Sequence, residues 1–169
     1  MKRLLGLVLC LCLFLGRALA EEPVALEQVE IEGFIGFAVP VGWEAAQLTD
    51  EQIEKGVMVA ARSKELNFQF VLHFQLMDDS MTVEDYAAAF QEDETYSQVE
   101  LIENQHGTKI IRFGFADQSL AGFYVPGTYG IMYIFTYFSS DHTPIHMDDP
   151  VFAQLMEDSL QAVYLVEAE

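Results

Sequence analysis

Cysteine is nearly absent, and both of its occurrences, Cys10 and Cys12, fall within the first 20 residues. If that stretch is removed, the rest of the chain can form no disulfide, thiol nucleophile or cysteine-based zinc site. Basic residues are scarce too: eight Lys and Arg face 27 Asp and Glu, for a net charge of −19. Lys2, Arg3 and Arg17 share the first 20 residues, which leaves Lys55, Arg62, Lys64, Lys109 and Arg112. Such scattered cations cannot track a phosphate backbone, so nucleic acid is excluded as a partner, and anionic lipid or wall polymer would be repelled. After residue 20 every apolar run is broken by charge, glycine or turn residues, so no membrane span is expected. There is no G-x-S-x-G elbow, no phosphate-cradling glycine loop and no dinucleotide fingerprint. An enzyme is therefore not expected, and no cofactor is implied.

The chain begins "MKRLLGLVLCLCLFLGRALAEEP". Lys2 and Arg3 make a positive start, Leu4 to Leu15 an apolar core, and Ala18-Leu19-Ala20 a small-residue cleavage site. These features predict residues 1–20 to be a signal peptide cut after Ala20, with a secreted or periplasmic product. Leu9 and Leu11 precede the cysteines, where a bacterial lipoprotein signal wants a small residue. Cleavage makes the balance of charge still more acidic, which suits a soluble monomer or one that meets a cationic partner. The remaining length suits one domain. Residues 21–32 read as a polar lead-in that becomes a strand, and 33–169 as the single domain.

Hydrophobic periodicity orders the elements. A strand runs from Phe34 to Val39 and stops at Pro40 and Gly42. "TDEQIEKG" makes a short helix capped by Thr49 or Asp50. "VMVAARS" and "NFQFVLHFQLM" alternate as strands, the second with Phe68, Phe70, Leu72, Phe74 and Leu76 on one face. "DDSMTVEDYAAAFQEDETY" shifts to helical spacing, with Ser80 or Thr82 as cap and Val83, Tyr86, Ala87 and Phe90 inward. Four more strands follow, ending in "YGIMYIFTYF", which is apolar on both faces and so central and covered on both sides. "DDPVFAQLMEDSLQAVYL" closes with a helix capped by Asp149, with Pro150 at its first position. This order predicts an α+β fold around an antiparallel sheet.

The arrangement resembles the PsbP-like superfamily, which includes the extrinsic oxygen-evolving protein of photosystem II and the Mog-type Ran-binding proteins. The likeness is carried by "GFAVPVGWE", "MTVEDYAAAF", "VELIENQHGTKIIRFGF", "YGIMYIFTYF" and "VFAQLMEDSLQAV", between Gly33 and Val163. It implies a central antiparallel β-sheet flanked by helices on both faces, an α/β/α sandwich, and an accessory role in assembly or binding. No photosystem or Ran-binding residue carries over. In such a fold Trp43 plugs the end of the core, its indole N–H meeting a backbone carbonyl.

The densest polar cluster is "SSDHTPIHMDDP", with Asp141, His142, His146, Asp148 and Asp149. His142, His146 and Asp148 are the candidate metal ligands, since imidazole and carboxylate together suit zinc or manganese. Pro144 keeps the two histidines off a common helical face, and Asp149 already serves as a cap. The tyrosines of "YGIMYIFTYF" suit either a sugar- or peptide-binding surface or the packing of a helix. The expected function is an exported, non-catalytic accessory domain that binds a protein or a cationic surface component. The alternative is a small-ligand or metal-binding protein using the 141–149 loop or a tyrosine-lined cleft, and after that an unrecognised hydrolase.

Overall fold

A computed structural model describes residues 25–78 and 80–166. The expected leader and cleavage site, and both cysteines, lie outside them. The chain runs β1 (Leu26–Ile31), β2 (Ile35–Pro40), β3 (Glu44–Ala45), α1 (Asp50–Glu54), β4 (Val57–Ser63), β5 (Phe68–Leu76), α2 (Val83–Glu92) and β6 (Tyr96–Glu103). It continues through β7 (Lys109–Phe115), β8 (Leu120–Pro126), β9 (Ile131–Ser139), α3 (Pro150–Gln161) and β10 (Tyr164–Leu165).

Seven strands form one antiparallel sheet in the order β3-β4-β5-β9-β8-β7-β6, and three form a second, β1-β2-β10. The alternation of β9 decides how the core divides. Tyr133, Phe135 and Tyr137 enter one cluster with Phe37, Phe70, Phe123, Phe152 and Leu155. Met132 and Ile134 enter the other, with Ile111, Phe113, Tyr124 and Ala87. The two-sided apolarity of this strand thus reflects its central place, covered on both faces.

The covers are not the pair of helical layers expected. Strand accounts for 45% of the described residues and helix for 19%, so the expected α+β fold, an α/β/α sandwich, is replaced by a mostly β fold of two packed sheets with three helices among the described residues. One face of the large sheet meets the small sheet together with α3, and the other meets α2. The error has a local origin. β1 and β2 pair with each other (Leu26 opposite Pro40, Ile31 opposite Ile35) and with β10, instead of joining the central sheet. A two-residue strand such as β10 has no periodicity to read, yet it completes a separate sheet.

The helix signals hold more closely. Of the two caps open at each place, Thr49 and Thr82 are the ones used, each in a reciprocal box, with Gln52 and with Asp85. Asp149 caps α3 by accepting from the Val151 and Phe152 amides, and Pro150 leads the helix. The inward stripe of α3 is Phe152, Leu155, Met156, Ser159 and Leu160. Trp43 is half-buried and packs edge-on against Phe70 at 6.2 Å and Tyr137 at 6.4 Å. Its Nε1 is buried and has no hydrogen-bond partner among the described residues, so the carbonyl contact expected of it is not made.

Candidate functional site

The 140–149 segment leaves β9 at Ser139 and doubles back into α3. Its first turn is tied by one carboxylate. Asp141 Oδ1 accepts from the Ser139 hydroxyl, from the Thr143 amide at 3.1 Å and from the Thr143 hydroxyl at 2.8 Å. Asn67 Nδ2 donates to Ser139 Oγ at 3.4 Å. Ser139, then Thr143 and Asn67, hold the Asp141 carboxyl well below the usual aspartate range, because each hydrogen bond favours the charged form. The next turn is tied by burial. Ile145 is 4% exposed, and its amide donates to the Gln118 carbonyl at 2.8 Å.

This path leaves His142, His146 and Asp148 exposed. Among the described residues no three of His, Asp and Glu stand together to hold a metal ion, and these candidates are no exception. The carboxylate nearest His142 in sequence, Asp141, is occupied by its own turn.

His146 stands between two clefts and contributes to both. One, of about 210 Å³, lies between the β6 bulge at Ser97 and Gln98, the β7–β8 turn at Gln118, and Met147. Gln98 and Gln118 both hold left-handed backbone, at φ 51° and 60°. The other, of about 380 Å³, has Phe68, Ile145 and Phe152 at its floor and Glu65, Thr143 and Asp149 at its rim. The Phe68 and Phe152 rings meet at 5.1 Å. Both clefts open at the end of the sheet where β5 starts and β9 finishes.

The other candidates disperse. His73 sits half-buried on the wet face of β5, where burial lowers its pKa. His106 lies in the β6–β7 turn against the Tyr164 ring at 5.7 Å. Tyr133 and Tyr137 are each 2% exposed in the core, so they build no open cleft. Burial pushes the Tyr137 phenol above its ordinary value.

The distribution of cations was not legible in the sequence. Lys55 pairs with Glu51 at 2.6 Å, while Arg62 and Lys64 share Glu44 at 3.1 and 3.3 Å. Lys109 pairs with Glu84, and Arg112 with Glu100 and, at 3.8 Å, with Glu157. Every Lys and Arg among the described residues is therefore engaged by a carboxylate. No described Asp or Glu is buried, so the many acids left over face outward. Lys64, followed by Arg62, holds the Glu44 carboxyl below its usual range.

Compared with known proteins, the chain matches no protein-family model and no curated protein.

Proposed function

We propose that this chain is an exported, non-catalytic binding domain whose partner or surface target carries positive charge. The observation that carries the reading is the engagement of every described Lys and Arg by a carboxylate. The surplus acids then set the long-range field, with no free cation among the described residues to interrupt it. The leader pattern in the first 20 residues supports export. A non-catalytic reading is supported by the scatter of the histidines. Among the described residues the one side-chain hydrogen bond of a histidine ring joins His106 to Gln105, and neither group activates a nucleophile.

Fluorescence anisotropy with a lysine-rich, serine- and glycine-spaced peptide tests this. Saturable binding that weakens between about 0.02 and 0.2 M salt is expected, as screening shortens the reach of exposed charges. Equal affinity for the matching glutamate-rich peptide, or no binding of either, would end the proposal.

A second reading has one observation in its favour, the aromatic-floored cleft of about 380 Å³ beside Thr143 and Asp149. It makes the chain a small-ligand protein using the 141–149 segment.

A further inference from the structure

The stripe that builds the core from β5 outruns its cover. Phe70 and Leu72 are 1% and 0% exposed, whereas Phe74 and Leu76, on the same face, are 40% and 77% exposed. Beyond Leu72 this face of the strand is no longer fully covered. Two neighbours widen the bare region. The Gly56 carbonyl accepts from the Phe74 amide at 3.0 Å, and the Gly56 amide donates to Ile53 O at 2.9 Å, so the end of α1 is bound to Phe74. Ile53 on that helix is 57% exposed. On the other side Leu76 pairs with Ile131, and the Met77 amide donates to Gly130 O at 2.7 Å, next to Tyr129. Tyr129 is 82% exposed and holds left-handed backbone at φ 60°. Four large apolar side chains thus share one end of the sheet, a concentration typical of docking surfaces.

The rim of this region is acidic. α1 carries Asp50, Glu51 and Glu54, and Asp78 follows Leu76 by two residues. Lys55, which follows α1, is already bound to Glu51. Two copies of the chain meeting here would press these carboxylates together, each copy at −19. The described chain begins at the far end of the sheet. Ala25 bonds the Val41 amide near Trp43, which packs on Phe70 and Tyr137. The eight residue steps from Phe68 to Leu76 put the patch roughly 26 Å from the clefts of the 141–149 segment.

We infer that Ile53, Phe74, Leu76 and Tyr129 form the docking surface for a basic amphipathic segment of a partner protein. Its apolar side chains cover the unfinished stripe, and its Lys or Arg residues meet the acids of α1 and Asp78. This rests on the cationic-partner reading and names its surface.

The experiment uses two peptides of equal positive charge and about five helical turns. One places leucines on a single face, and in the other serines replace them. The variant is Ile53→Gln with Leu76→Gln, which leaves the charge unaltered and touches only exposed side chains. Circular dichroism and an unchanged unfolding midpoint establish that it folds. The leucine peptide is expected to bind the unaltered protein with one-to-one stoichiometry, at least about tenfold tighter than the serine peptide. The double variant should remove that difference and leave the serine peptide's affinity as it was. If both peptides bind alike to both proteins, the patch is not the docking surface, although the cationic-partner reading survives. If neither peptide binds, both proposals fail together. A concentration-dependent dimer that the double variant abolishes would overturn the inference in favour of a second copy.

Discussion

Asn104 shows how much a single side chain can carry without advertising it. In sequence it belongs to Asn104-Gln105-His106-Gly107, and reads as turn chemistry between two strands. In the folded chain it is 4% exposed and works in both directions. Its Nδ2 donates to the Leu160 and Val163 carbonyls at 3.0 and 2.7 Å, where α3 ends. Its Oδ1 accepts from the His106 and Thr108 amides at 3.0 and 3.1 Å, inside the hairpin. One amide thus fastens the β6–β7 turn to the end of the last helix. Replacing Asn104 by Ala strands the partners of these bonds in a buried place, and should cost about 2–4 kcal/mol in urea unfolding. A loss below about 1 kcal/mol would mean the turn, not the tie, is what Asn104 serves. Trp43 makes the opposite point. Its packing against the core was legible as a lone large aromatic at a strand end, but the partner of its N–H was not, and none is found among the described residues.

At the scale of elements, periodicity served best where a strand or helix was long enough to repeat. The apolar spacing of β9, α2 and α3 matches what they bury, on both faces in β9, and that of β5 does so as far as Leu72. β3 and β10, at two residues each, have none to match. The register of β8 against β9 depends on a glycine inside an apolar run. At Gly122, opposite Thr136, an added methyl group would lie 1.9 Å from the Phe135 carbonyl oxygen, which belongs to rigid backbone. Gly122→Ala should therefore force the two central strands apart. About 3 kcal/mol or more should be lost in chemical denaturation, together with near-ultraviolet signal from the packed tyrosines. Full retention of stability would show that the ladder can bend around the methyl group.

For the molecule as a whole, charge sets the expectation. Apart from those of the half-buried Arg112, the ion pairs are exposed and worth little each, so screening them costs little. Repulsion among the remaining carboxylates acts over longer distances and opposes compactness. Added sodium chloride, from about 0.02 to about 0.2 M, shortens the screening length several-fold and should raise the thermal midpoint. A midpoint that falls with salt would mean that the pairs, and not the surplus acids, dominate. The same surplus motivates the cationic partner. The bare apolar region at the end of β5 motivates where that partner sits.

By itself the sequence determined what depends on neighbours along the chain. It placed the strands and helices that exceed a few residues, the caps at Asp149 and at one of two positions elsewhere, the faces each element turns inward, and the acidic balance. Hydrogen bonding near the backbone and apolar repeats of period 2 or 3.6 are local properties, and residue order encodes them directly. Only the tertiary structure decided which strands share a sheet, and so turned an expected pair of helical covers into a second sheet with α3. It alone decided that the cations of the described residues are all taken, that His142, His146 and Asp148 do not converge, and that Phe74 and Leu76 are left outside the core they resemble. These depend on contacts between distant segments and on where a cover ends, and no spacing within one segment records either.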